Sequence, residues 1–168
     1  MGIRHLARQR ALQLLYALEY ATPEDSFQDV ERLFLMADGS RRRGWGPFAR
    51  QLAGEVFARR QELDKAIHPF LRNWTLERLP RIDRLCLRMA LCELRFFPDI
   101  PLRVTLNEYI DLTRIFSADD SPQYVNAVLD QLARECPQKD FQRGQAVAEQ
   151  EDSPPENKDE DIEAEEEP

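Results

Sequence analysis

The sequence predicts an all-α fold, on three observations. Every strong apolar pattern in the chain repeats at helical spacing, and no run alternates convincingly with period two. The segment 81–97, RIDRLCLRMALCELRFF, is apolar nearly all round. Ile82, Leu85, Cys86 and Met89 follow the i, i+3, i+4, i+7 pattern, while Leu87, Ala90, Leu91 and Leu94 cover most of the remaining circumference. A helix of that kind is buried by neighbours on several sides. Pro80 and Pro98 bracket it as start and stop signals, which makes it the central helix of the domain.

The other elements follow in chain order. Residues 3–20 read as a first helix whose apolar stripe is Ile3, Ala7, Ala11, Leu14 and Leu18, widened by Leu15. Arg4 and Arg8 border this stripe and His5 lies farther round the same side, whereas Arg10 points away. Thr22-Pro23 breaks the helix, and Asp25 or Ser26 can cap a second one over residues 27–37, with Phe27, Val30, Phe34 and Leu33 on its buried side. The following loop carries Arg41, Arg42, Arg43 and Trp45, a set that can grip phosphates and stack a base. A Trp45 folded back onto the core is the alternative.

Pro47 starts a long third helix to residue 71, with Phe48, Leu52, Val56, Leu63 and Ile67 on one face and a kink or end at Pro69. Trp74 and Leu76 are expected to be buried in the short passage to the central helix, in which Arg81, Arg84, Arg88 and Arg95 share a narrow polar stripe. Residues 102–116 form another helix, packing through Leu102, Leu106, Tyr109, Ile110, Thr113 and Phe116. The last helix starts at Asp120 or Ser121 with Pro122 in its first turn, and buries Val125, Val128, Leu129 and Leu132. Tyr124 falls at the edge of that stripe.

The formal charge of −8 divides unevenly. Residues 137–168 hold 12 of the 31 acidic side chains and 3 of the 23 basic ones, leaving 19 acidic and 20 basic in residues 1–136. The expected organisation is a nearly neutral helical domain over 1–136 and an acidic disordered tail over 137–168, too polar to offset its own ordering entropy. The three cysteines lack a C-x-x-C partner and two lie in the apolar helix, so buried thiols of a reducing cytoplasm are expected rather than disulfides or a zinc site. No run reaches membrane-spanning length. The apolar ALQLLYAL behind the first basic residues is interrupted by Gln13, followed by Glu19 and has no small-residue cleavage site, which argues against export.

Phosphate-loop, dinucleotide, zinc-protease and nucleophile-elbow motifs are all absent from the sequence. Neither His5 nor His68 has a cysteine or carboxylate at triad or metal-ligand spacing. The expectation is a helical binding module, with no enzyme activity, no cofactor and no metal.

Three blocks carry a more specific signal: R-x-A-x-x-E-L from Arg88 to Leu94, P-x-x-V-x-[IL]-N-E from Pro101 to Glu108, and S-x-x-[FY]-V-N from Ser121 to Asn126. With ARQRALQLLYALEY near the start, they resemble the NusB family of bacterial transcription antitermination factors over about residues 3–135. The resemblance implies a compact bundle of about seven helices in two sub-bundles. It also implies binding to the boxA element of nascent ribosomal RNA together with the ribosomal protein NusE, in support of processive transcription by RNA polymerase in the cytoplasm.

By position, the resemblance places Arg4, His5, Arg8, Asp120 and Tyr124 at the RNA, and Asp83 and Asp120 at the partner surface. Arg41, Arg42, Arg43 and Trp45 are accessory RNA candidates. Such roles are physically coherent, since cations attract phosphates, an aromatic ring offers a stacking platform and carboxylates accept bonds from base edges. The chain departs from the family pattern with His5 in a basic slot, Gln9 where Glu is common and Ala127 where Gly is usual. The alternative function is a protein–protein interaction module that does not read RNA. The fold is compatible with a monomer or a homodimer.

Overall fold

The computed structural model describes residues 2–37, 44–72 and 74–136; Arg41, Arg42, Arg43 and the acidic segment 137–168 lie outside the described residues. Within them the chain forms seven α-helices: α1 Ile3–Leu18, α2 Phe27–Ala37, α3 Pro47–Ala58, α4 Arg60–Ile67, α5 Arg81–Phe96, α6 Leu102–Phe116 and α7 Ser121–Arg134. Two 3-10 turns, His68–Phe70 and Leu76–Arg78, connect α4 to α5. The expected all-α class and helix number are both found.

Helix α5 is the axis of the molecule. It packs against α1, α3 and α4 on one side and against α6 and α7 on the other, which separates an N-terminal bundle of α1–α3 from a C-terminal bundle of α5–α7. Its residues Leu85 to Leu94 are all buried, and one continuous apolar cluster runs from Leu12 and Leu14 through Leu87 and Leu91 to Val125 and Leu129. Burial on two sides explains why the α5 sequence lacks a clean polar face.

Several local expectations are revised. The predicted long third helix is two helices, parted at Arg59, whose φ of −101° and ψ of 12° leave the α region. Neither proline nor glycine marks this break. The Arg59 guanidinium bonds Glu55, reaches Glu62 and lies 4.3 Å from the centre of the Phe96 ring. Ile3 is exposed and Leu12 is buried in its place, which turns the α1 stripe away from the first residues. Leu33 and Phe116 are exposed rather than packed.

Helix α2 starts at Ser26, whose Oγ accepts from the Asp29 amide at 3.2 Å and donates to the Asp29 carboxylate at 2.6 Å. That pair of bonds satisfies one free amide of the first turn, and the hydroxyl lowers the pKa of Asp29. Gly44, at φ +86°, brings the loop before α3 against α1: a Cβ there would stand 2.5 Å from Leu6 Cγ. Trp45 then packs edge-on against Phe34, with ring centres 6.0 Å apart, and joins the rim of the core. Of the two readings of Trp45, the structure shows the folded-back ring, not a free stacking platform.

Candidate nucleic-acid interface

The charged residues singled out in α1 divide sharply in the fold. Arg4 is exposed, its guanidinium carbon 5.7 Å from the centre of the Phe48 ring. Arg8, one turn later, is only 1% exposed. Its Nε and one terminal nitrogen donate to the two oxygens of Glu93 on α5, at 2.9 and 2.8 Å. The same carboxylate accepts from Thr105 Oγ1 at 2.8 Å and from the Tyr109 hydroxyl at 2.9 Å. A planar guanidinium matches a carboxylate in this two-bond geometry, and the added hydroxyls satisfy the remaining lone pairs.

Burial works against the charge of Arg8, but the hydrogen bond and charge of Glu93 outweigh it and raise the arginine's pKa. Burial, with the nearby carboxylate, also raises the Tyr109 hydroxyl well above its ordinary value. Arg8 is therefore corrected from a phosphate contact to the clamp between α1, α5 and α6. Phosphate attraction needs a cation that water and a ligand can reach, and this one faces inward.

His5 lies between these extremes. Its Nδ1 is 2.8 Å from Glu108 of α6, its Nε2 is 3.1 Å from the Gln9 amide, and its side chain is largely covered. The two departures at His5 and Gln9 thus form one connected group that orients the ring toward α6.

At the other end of α5, Asp83 is 2% exposed. Its carboxylate accepts from Ser117 Oγ and from Ser121 Oγ, the second at 2.7 Å. Asp83 thus joins α5 to the turn between α6 and α7, and its expected place on a partner surface is corrected for the same reason as Arg8. The bonds also alter the start of α7. Ser121 turns onto Asp83, and Asp120 stands at the cap position with an α-region backbone and no capping side-chain bond. The Asp120 side chain is exposed and open to solvent.

Tyr124 is half-buried. Its hydroxyl oxygen is enclosed and has no hydrogen-bond partner among the described residues. Burial first, and the charge of Asp83 second, raise its pKa. The ring meets Trp74 edge to face, with centres 6.4 Å apart. Trp74 was expected in the core, but it is 48% exposed, while Leu71, Leu76 and Leu79 anchor its connector. Apolarity alone could not place this indole: no helical period runs through the connector.

The surface residues therefore form two groups, Arg4 beside His5 near Glu93, and Asp120 with Tyr124 near Asp83. Ten residues of α5 separate the two anchoring carboxylates, roughly 15 Å along a helix. Among the described residues no cluster of His, Cys, Asp or Glu suits a metal ion, and no helix is long and apolar enough to cross a membrane.

The comparisons with known proteins agree with this architecture. A sequence model of the NusB family matches residues 5–134. The transcription antitermination protein NusB of Geobacter sulfurreducens is 40% identical over 139 residues, covering 83% of this chain and 99% of the relative. That of Myxococcus xanthus is 40% identical over 135 residues, covering 79% and 96%. Among solved structures, T. maritima NusB is similar with a TM-score of 0.71 at 27% identity, covering 83% of this chain and 96% of that one. A crystal structure of antitermination factors NusB and NusE with dsRNA has a TM-score of 0.69 at 20% identity, covering 80% and 98%, a likeness of fold.

Proposed function

The chain belongs to the NusB family, and from that membership we propose that it is a transcription antitermination factor. In this reading it binds the boxA element of nascent ribosomal RNA together with NusE and supports processive transcription by RNA polymerase. It acts in the cytoplasm, by binding rather than by catalysing a reaction. The observation that carries the site is the one the fold leaves after burying Arg8 and Asp83: Arg4, Asp120 and the Tyr124 ring remain at the surface. Arg4 supplies attraction to phosphate, the Tyr124 ring a face for a base, and Asp120 an acceptor for base-edge or partner donors. His5, already held by Glu108, contributes at the edge of the Arg4 group.

The chain has few exposed cations at its N-terminus, so weak intrinsic affinity for RNA and a strong contribution from NusE follow. The test is binding of a boxA-containing RNA and of a scrambled RNA, each with and without NusE, over a range of salt. Preference for boxA that sharpens with NusE is expected. Binding of NusE with no boxA preference in either condition would instead identify a protein–protein interaction module.

A further inference from the structure

Resting on the RNA-binding reading above, we propose that Trp74 is a second stacking platform beside Tyr124, taking an unpaired nucleobase of a single-stranded RNA. Four observations point to it. The indole is 48% exposed in a connector whose Leu71, Leu76 and Leu79 are all buried, so the ring stands outward on an anchored segment. It touches Tyr124 edge to face with centres 6.4 Å apart and planes inclined at 62°, so the two rings are not stacked face to face on one another.

Arg72 and Arg78, both exposed, flank it at two and four residues' distance along the chain, with the exposed Glu77 between the ring and Arg78. The Tyr124 hydroxyl is enclosed, which turns the polar tip of that ring inward and leaves its hydrocarbon part for the surface. Cations beside an exposed aromatic pair are the components of a single-strand site: the charges follow the backbone and the rings accept bases without regard to sequence. The indole is continuous with Tyr124, the ring that the RNA-binding reading gives to a base, so a neighbouring base of the same RNA strand is the occupant this surface fits.

The chain contains two tryptophans, Trp45 and Trp74. In a Trp45→Phe variant of the full chain, Trp74 is the sole indole, and its fluorescence reports stacking directly. Titration with single-stranded boxA RNA should quench that emission, and inorganic polyphosphate at the same charge concentration should not. Trp74→Ala should weaken boxA binding roughly 5- to 150-fold, the range for loss of one stacked base, with unchanged helical circular dichroism. Trp74→Phe should restore most of the affinity. If Trp74→Ala binds as the unmodified chain does and the emission is not quenched, while Arg4→Ala or Tyr124→Ala loses affinity, the platform is refuted and the RNA-binding reading stands. If the unmodified chain shows no preference for boxA RNA with or without NusE, that reading falls and this inference falls with it.

Discussion

Two arginines one turn apart on α1 have opposite roles, and substitution separates them. Arg8→Ala would leave Glu93 buried without its cation, which costs about 3–5 kcal/mol for a broken buried pair; urea denaturation checks this. Arg8→Lys should restore only part of that, because a point charge cannot reproduce the two-bond fork. Arg4→Ala should change stability by less than about 0.5 kcal/mol, as for an exposed side chain. It should instead weaken RNA binding and flatten the log–log salt dependence by about one unit at most. Tyr124→Phe removes a hydroxyl that has no partner among the described residues. An enclosed, unsatisfied group costs roughly 1–3 kcal/mol, so the variant should be as stable as the parent or more so. BoxA affinity should be retained, since the ring face is kept.

Between elements, polar groups fix how α5 meets its neighbours. Asp83 binds the α6–α7 turn through Ser117 and Ser121, while Arg84 and Arg88 pair with Glu19, the residue that follows α1, and Arg88 also takes both oxygens of Asp64 on α4. Arg84 and Arg88 of the α5 stripe thus resolve into ion pairs with the end of α1 and with α4. Asp83→Ala should cost about 3 kcal/mol, from the loss of two bonds to a charged acceptor. Amide hydrogen exchange should quicken first around the start of α7, because the serines would lose their common anchor. Gly44→Ala would force a side chain into the Leu6 contact at positive φ. A destabilisation of about 1–3 kcal/mol is expected, read as a lower thermal midpoint.

For the molecule as a whole, the buried thiols set an alkaline limit. Burial pushes the Cys92 thiol from an ordinary 9.0 up to about 12, and pushes Cys86 up as well. Below the unfolded value both states keep the proton and the thiols leave stability unaffected. Between about pH 9 and about pH 12 the unfolded chain releases protons that the native chain retains, so stability falls as pH rises. Urea midpoints at about pH 8 and about pH 10.5 should differ in that direction, and less so in Cys92→Ala measured against its own value at the lower pH. Both thiols should also resist alkylation until the chain is unfolded. Removal of residues 145–168 is expected to leave the thermal midpoint nearly unchanged, since that segment is mostly Glu, Asp, Pro, Gln and Ala and offers little apolar surface to a core. Loss of that acidic segment should raise non-specific RNA affinity at low salt, because its charge opposes a polyanion.

The helices and most of the core were legible from spacing alone. Leu85, Cys86, Met89, Val125, Val128, Leu129 and Leu132 are buried as their period requires, because a helix presents the same face at i, i+3, i+4 and i+7 whatever its neighbours are. The family was legible in three short blocks, two of which contain Glu93 and Ser121, residues that the fold uses to hold itself together. Tertiary structure alone decided which charged groups reach the surface. Arg4 and Arg8 border one stripe on the helix wheel, and what separates them is Glu93, 85 residues away from Arg8 in sequence. Asp83 and Ser121 lie 38 residues apart. Periodicity describes one helix at a time and carries no record of the carboxylate or hydroxyl that another helix brings to it. The same holds for Trp74: its composition suits a core, but whether an indole is covered depends on the ring that α7 places beside it.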